Sequence, residues 1–427
     1  MHLEASKNAL ARYGCVRTMN FIQSQAGSPV EDPVRAAADL DAVMRDSRIL
    51  VVDDQKMVRE LLKIYLTNGG YENLLFAGDG DEALDMIAAE DPDLVVLDLQ
   101  MPRMNGLDVC KALRADPKYE LLPVLVQTAA DSAKDRAEIF QSGATDMVGK
   151  PINDAELLAR VGIHLQNRHM LNQLSLYREK MERDLQQARD MQHQIMPGAR
   201  ALSGLQEQYD IEIKSHFQTC DELGGDMWNV WPVDEARMGF SIIDFTGHGV
   251  VASLNTFRFQ SLVATSTFDP ERQIEYVETI NRKLHRMLPS GQFATAIGGY
   301  IDLSSDVIRY TAAAGPKPFL ISPAYPDGAF LKSAGRPLGM TGDSSYEEYE
   351  EAFPPGSSLF LYSDALTETP DMINPIYDDD RMRAALTGKI DPSGHPFDVI
   401  LADFFDQARE PLNDDLTMIM LTRPGKS

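Results

Sequence analysis

Residues Ser241 to Gly249 read S-I-I-D-F-T-G-H-G. This is an apolar strand that ends on one carboxylate and passes into a glycine-punctuated turn, with a helix from Val250. An Asp at the mouth of a strand, followed by an exposed carbonyl in a tight turn, suits a hard divalent cation such as Mg²⁺ or Mn²⁺. An Asp before a turn more often caps backbone amides, so the stretch gains meaning from its company. Asp226, Asp364 and Asp414 occupy other strand ends or turns in the same half of the chain.

Around that stretch the apolar pattern changes over 197–427. Strands are expected at Ile211–Phe217, Arg237–Ile243, Leu359–Tyr362 and Leu416–Leu421, with a hairpin of Ala294–Asp302 and Val307–Ala313 about Ser304-Ser305. Helices are expected at Val250–Thr265, Gln273–Leu288, Arg381–Leu386 and Phe397–Ala408. Hairpins mixed with a few long helices predict an α+β domain with antiparallel sheets. Asp226, Asp244, Asp364 and Asp414 then converge on one sheet edge, where they cannot all stay ionised without cations between them. Two hard divalent ions would relieve the repulsion and lower the pKa of a water poised to attack phosphorus in line. No Cys or Ser has a neighbouring His in a nucleophile motif, so a covalent intermediate is not expected. His248 reads as a turn residue and Asp415 as a support for Asp414. Asp221 and Glu222 read as solvated, Glu368 as a cap, and Glu347 to Glu351 as an acidic surface run.

The motifs of this half are A-R-D-M-Q-H-Q-I-M-P, E-L-G-G-D-M-W, D-F-T-G-H-G, F-A-T-A, A-A-G-P-K-P, G-R-P-L-G-M, L-Y-S-D-A-L-T-E and N-D-D-L-T. In that order they resemble the SpoIIE-type branch of the PPM family of metal-dependent serine/threonine protein phosphatases, over about 190 to 422. The resemblance implies a four-layer αββα sandwich. It also makes Asp244 the ligand bridging two Mn²⁺ or Mg²⁺ ions, with the Phe245 carbonyl, Asp226, Asp364 and Asp414 completing the shells. Two departures stand out: Asp364-Ala365 replaces the usual Asp-Gly, and Ala314-Gly315-Pro316 the usual Ala-Gly-His. Neither removes a metal carboxylate, so an active enzyme is expected.

The stretch 47–165 carries apolar strands at Ile49–Val52, Leu94–Leu97, Leu121–Val126 and Met147-Val148, separated by helical segments. Such strands predict a doubly wound parallel sheet, with functional groups at the strands' carboxyl ends. That edge receives Asp53, Asp54, Asp98, Thr128 and Lys150. An acidic pair there holds Mg²⁺, the third Asp takes a phosphoryl group, and Thr and Lys contact the added oxygens. The V-D-D, L-D-L-Q-M-P-x-M-N-G, T-A and K-P motifs resemble the receiver domain of two-component response regulators. The resemblance implies a five-stranded sheet, phosphorylation of Asp98 by a sensor histidine kinase, and Mg²⁺ on Asp53, Asp54 and Asp98. One departure is Met147, where receivers usually carry a Tyr or Phe as the rotating switch aromatic.

Between the two, 166–196 spaces Leu171, Leu174, Arg178, Met181, Leu185, Ala188, Gln192 and Ile195 by alternating threes and fours. This predicts a coiled-coil linker and a homodimer through 171–195. Residues 1–46 read as a flexible extension with one short helix at Val34–Met44. The chain of 427 residues has 65 acidic and 40 basic side chains, a formal charge of -25, which argues against nucleic-acid or anionic-membrane partners. Cys15, Cys110 and Cys220 form no CxxC and read as free thiols in a reducing compartment. With no long apolar run and no leader pattern, a cytoplasmic protein is expected. The expected function is a response regulator with phosphatase output, acting on an anti-sigma-factor antagonist of the STAS type in a partner-switching pathway, a substrate suggested by resemblance alone. The alternative is a catalytically dead, phospho-gated binding module.

Overall fold

The computed structural model describes residues 44–129, 133–369, 377–389, 394–408 and 412–425. Apart from 44–46, the N-terminal extension lies outside the described residues, and so does the Val34–Met44 helix except Met44. The chain divides into two units, Met1–Arg178 and Glu179–Ser427.

In the first unit β1 (Ile49–Val52), β2 (Leu74–Ala77), β3 (Leu94–Asp98), β4 (Val124–Thr128) and β5 (Asp146–Gly149) form a parallel sheet in the order β2-β1-β3-β4-β5. Strands β1, β3 and β4 are buried along their whole length because helices cover both faces. Leu50, Val52, Val95 and Leu97 pack on one face with Ile87 and Val109 of the helices Gly80–Glu90 and Gly106–Arg114. Ile49, Val51, Leu94 and Val96 pack on the other with Leu62 and Leu66 of the helix Lys56–Asn68 and with Leu157, Val161 and Leu165. The doubly wound five-stranded sheet is the one expected. Its least conspicuous strand is β2, a four-residue edge strand short enough to pass as loop.

The second unit stacks two antiparallel sheets. β7 (Asp226–Pro232), β8 (Arg237–Phe245), β9 (Ala294–Asp302), β10 (Val307–Ala313) and β13 (Glu348–Ala352) are ordered β13-β10-β9-β8-β7. β6 (Glu212–Gln218), β11 (Phe319–Ser322), β12 (Tyr325–Phe330), β14 (Ser357–Tyr362) and β15 (Leu416–Arg423) are ordered β12-β11-β14-β15-β6. Trp228, Phe240 and Ile242 of the first sheet share one core with Leu359, Leu361 and Ile419 of the second. The helices Gly249–Ala264 and Gln273–Met287 cover the first sheet, and Asp379–Leu386 and Pro396–Gln407 the second. The layers run αββα.

Strands β7, β11, β12 and β13 were not legible as apolar runs. The acidic segment Glu347 to Glu351, expected to be bare surface, supplies most of β13, which pairs with β10 from Thr311↔Glu348 to Val307↔Ala352. Backbone pairing makes it a strand, and Arg309 Nε donates to Glu350 Oε2 at 2.7 Å across the pair. Carboxylates on such an edge also discourage pairing with another chain.

The linker requires a correction. A single helix, Asp154–Gln194, crosses the boundary expected at residue 166 without interruption. Its start belongs to the receiver core through Leu157, Val161 and Leu165. Leu171, Leu174 and Met181 are exposed at 45%, 64% and 49%, whereas Gln192 is 1% exposed. Gln192 is therefore no seam residue, and Ile195 and Met196 pack against the sandwich core. The three-and-four spacing marked an apolar row but could not show that its end is used by another domain.

Gly299 sits opposite Tyr310, where a Cβ would lie 2.0 Å from the Arg309 carbonyl oxygen. Gly299→Ala is expected to destabilise the second unit by about 2–3 kcal/mol. Urea denaturation checks this as a lowered midpoint at unchanged slope.

Candidate functional site

Two acidic clusters lie at strand ends, one in each unit. In the first, the parallel register brings Val52 beside Leu97, Asp98 beside Gln127, and Thr128 beside Gly149, so the carboxyl ends of β1, β3, β4 and β5 meet. Asp53 and Asp98 are buried and Asp54 is exposed, with one oxygen from each lying within 4.8 Å of the others. Lys150 Nζ is 2.8 Å from Asp98 Oδ1 and 3.7 Å from Asp53 Oδ2. Asp53 Oδ1 accepts from the Gln55 amide at 2.9 Å, while its buried Oδ2 accepts no hydrogen bond. Burial pushes the Asp53 carboxyl above its ordinary range, Asp98 and Asp54 add repulsion, and the Gln55 amide and Lys150 oppose it. An orphaned buried oxygen facing two further carboxylates fits a hard cation. Thr128 is buried at the end of β4. Met147 packs, partly buried, against the apolar core of the same sheet.

In the sandwich, Asp226 opens β7 and pairs across the ladder with Asp244 near the end of β8. Asp364 follows β14, and Asp414 and Asp415 precede β15. The two sheets are joined at this edge, where Thr417 Oγ1 donates to Asp226 Oδ2 at 2.6 Å; within the second sheet, Ser363 Oγ donates to the Asp415 carbonyl at 2.9 Å. Asp415 is more than a support for Asp414. It is 2% exposed and accepts from the backbone amides of Cys220 at 2.9 Å and Gly225 at 2.5 Å. Gln192 clasps the neighbouring residue, accepting from the Gly224 amide at 3.1 Å and donating to its carbonyl at 2.6 Å. The glycines are required by this closeness. A Cβ on Gly225 would lie 2.8 Å from the carbonyl oxygen of Phe245, the group that the resemblance assigns to metal.

Burial and like charge shape the electrostatics. Asp226 is fully buried and held well above the ordinary carboxylate range, first by desolvation and then by Asp244 and Asp415. Asp244 is pushed to about 8 by burial, with Asp364 and Asp414 adding repulsion. Asp364 is pushed to about 6 by burial and by Asp414. Among the described residues, no three of Asp226, Asp244, Asp364 and Asp414 have ligand atoms within 4.8 Å of one another; the tight groupings here are Cys220–Asp414–Asp415 and Cys220–Asp221–His248. A spread of four carboxylates along one edge fits more than one cation.

Sequence reasoning underrated three residues here. Gln192 looked like a flaw in a coiled-coil seam, although it sits in the A-R-D-M-Q-H-Q-I-M-P motif. Thr417 was read only as part of N-D-D-L-T. Asp221 is not merely solvated, since it pairs with His248 Nδ1 at 2.5 Å and raises the imidazole's pKa.

Comparison with known proteins follows these two sites. Residues 49–162 match the response regulator receiver domain, and residues 234–424 match Stage II sporulation protein E (SpoIIE). The response regulator MprA of Mycolicibacterium vanbaalenii is 50% identical over 114 residues, 27% of this chain and 48% of that protein. The chain thus spans about half the length of the curated relatives it matches. Among solved structures, a response regulator from Chloroflexus aurantiacus is 35% identical with a TM-score of 0.27, covering 28% of this chain and 98% of that one. The SiaA-PP2C domain of Pseudomonas aeruginosa is 18% identical with a TM-score of 0.47, covering 58% of this chain and 98% of that one.

The raised carboxylates give a testable pH dependence. Asp244 ionises near 3.8 when unconstrained and at about 8 in the folded, metal-free protein. Between these values the folded state keeps a proton that the unfolded state has lost, so metal-free stability falls as pH rises from about 5 to 8. In chelator the Tm is expected to drop across that window, and Mn²⁺ to restore more at the high end. Asp244→Asn should flatten the slope. Thermal denaturation followed by circular dichroism checks it, and a pH-independent Tm would contradict it. The chain thus joins, on one polypeptide, a stretch that matches the response regulator receiver domain over 49–162 and a stretch that matches SpoIIE over 234–424.

Proposed function

We propose that this chain is a response regulator whose receiver controls a metal-dependent phosphoserine/phosphothreonine protein phosphatase. The observation that carries the reading is the edge across two joined sheets that gathers Asp226, Asp244, Asp364 and Asp414, the first three held up in pKa by burial and like charge. Domain roles follow the sequence reading: 47–165 receives the signal, 166–196 links, and 197–427 carries the chemistry.

In the receiver, Asp98 accepts a phosphoryl group from a sensor histidine kinase. Asp53, Asp54 and Asp98 would hold Mg²⁺, and Lys150, already 2.8 Å from Asp98, would meet the added oxygens together with Thr128. Met147 offers no rotating aromatic ring, so the output does not use the usual Thr-to-aromatic movement. In the sandwich, Asp244, Asp226, Asp364, Asp414 and the Phe245 carbonyl would together hold two Mn²⁺ or Mg²⁺ ions. When bound, the ions supply a water of lowered pKa for direct attack on phosphorus and neutralise the charge that develops. The chain's own part is positional. Thr417 fixes the Asp226 carboxylate, and Asp415 and Gln192 hold the Gly224-Gly225 turn beside Phe245.

The substrate we favour is a small phosphorylated anti-sigma-factor antagonist of the STAS type, in a partner-switching pathway. Homodimerisation through the helix Asp154–Gln194 is kept, with its seam trimmed to the exposed row at Leu171, Leu174 and Met181. Among the described residues no helix is long and apolar enough to cross a membrane, and the acidic balance supports a cytoplasmic protein without nucleic-acid partners. Ala365, buried directly after Asp364, keeps a catalytically dead binding module as the competing reading.

The test is Mn²⁺-dependent hydrolysis of p-nitrophenyl phosphate, with and without beryllofluoride on Asp98. Metal-dependent turnover that responds to the mimic is expected. Asp244→Asn should lower it by about 100-fold or more, and Asp98→Asn should keep basal turnover but abolish the response. Folded, metal-loaded protein without turnover would establish the binding module instead. For the dimer, Leu174→Glu is expected to shift sedimentation towards monomer by placing like charges across an apolar seam.

A further inference from the structure

The second unit encloses a cavity of about 90 Å³ between the sheet β13-β10-β9-β8-β7 and the helices Gly249–Ala264 and Gln273–Met287. Its floor is one cross-strand row: Asn229 opposite Ser241, Ser241 opposite Gly298, and Gly298 opposite Thr311. The adjacent row is apolar, Met227, Ile243, Ala296 and Ala313. The row on the other side is bulky, with Trp231, Tyr300 and Arg309 interrupted by Gly239. A small and polar row between them leaves room under the helices. A Cβ on Gly298 would meet nothing nearer than the Ser241 Cβ at 3.4 Å.

Two amide side chains reach this space from the helical side. Gln273 is 2% exposed; its Nε2 donates to Thr311 Oγ1 at 3.0 Å, and its buried Oε1 accepts no hydrogen bond. The Oε1 of Gln260 is likewise buried without a donor. Each such acceptor disfavours the empty cavity while unmet. No lining residue is charged. An ion would therefore find no counter-charge, and an anion would face carbonyl oxygens. The remaining wall is apolar and aromatic, with Phe268 of the inter-helix loop set edge-on to Trp231 and Tyr276.

We propose that this cavity binds a small, neutral, planar ring bearing one N–H donor, an azole-like group, whose N–H meets the Oε1 of Gln273 while its faces pack on Ile243 and Val277. Size sets the class: a dry cavity of about 150 Å³ takes benzene, so the smaller space here takes a five-membered ring at most. Met227 and Ile243 adjoin Asp226 and Asp244 in sequence, so an occupant touches the two strands that carry those carboxylates. The cavity is distinct from the carboxylate edge.

The test titrates the full chain with pyrazole and, in parallel, with thiophene, a ring of similar size without an N–H. Saturation-transfer NMR reads binding, and circular dichroism confirms folding of each variant. Saturable pyrazole binding is expected, with thiophene about tenfold weaker or absent. Gln273→Met, which removes one acceptor at similar volume, should weaken pyrazole by about tenfold. Gly298→Ala should weaken it by filling space. Equal binding of the two rings, pyrazole binding untouched in folded Gln273→Met, or a crystal structure in which only water occupies the cavity at saturating pyrazole would overturn the assignment.

Discussion

Asp415 accepts two backbone amides, those of Cys220 and Gly225, from a position 2% exposed, and the carboxylate edge depends on that arrangement. A buried carboxylate without donors would be expelled or neutralised. Here the donors are the amides of the loop that must approach the β8 turn most closely. The same loop ends in Asp226, whose carboxylate is held from the other sheet by Thr417. Two sheets that share an apolar core can slide by small amounts without large loss. Hydrogen bonds from β15 to the start of β7 remove that freedom at the one edge where carboxylates must be placed to within a fraction of an ångström.

The candidate metal carboxylates were readable from the motifs around them. Asp244, closing an apolar strand before a glycine turn, is visible without a structure, and so is the parallel receiver sheet with its buried strands. The pieces that escaped have no such signature. β13 is written in glutamates because edge position and backbone pairing, not apolar alternation, define it. Gln192 has the spacing of a seam residue and the environment of a core one, and only the fold tells these apart. Thr417 and Asp415 act across sheets on residues almost two hundred positions away, a separation at which local pattern carries no information.

One continuous helix carries Leu165 in the receiver core near its start and Gln192 on the Gly224 backbone near its end. A helix transmits rotation and axial shift well because its backbone hydrogen bonds resist local deformation. Its middle, by contrast, exposes Leu171, Leu174 and Met181, which contribute little to either core. The residues that fix the two ends are therefore separable from those available to a partner helix.

The carboxylate edge also explains why the sandwich is so thoroughly tied together. Desolvation and mutual repulsion hold Asp226, Asp244 and Asp364 above their ordinary range. That strain opposes folding wherever these groups are ionised in the unfolded chain. A fold can tolerate it only if other terms exceed it, and the shared apolar core of the two sheets with the Thr417, Ser363 and Asp415 hydrogen bonds supplies those terms. Cations at the edge would reverse the sign of the contribution, converting repulsion into ligation. The scaffold is thus built to hold the acids in place before any ion arrives, so that binding needs little reorganisation of the strands that carry them.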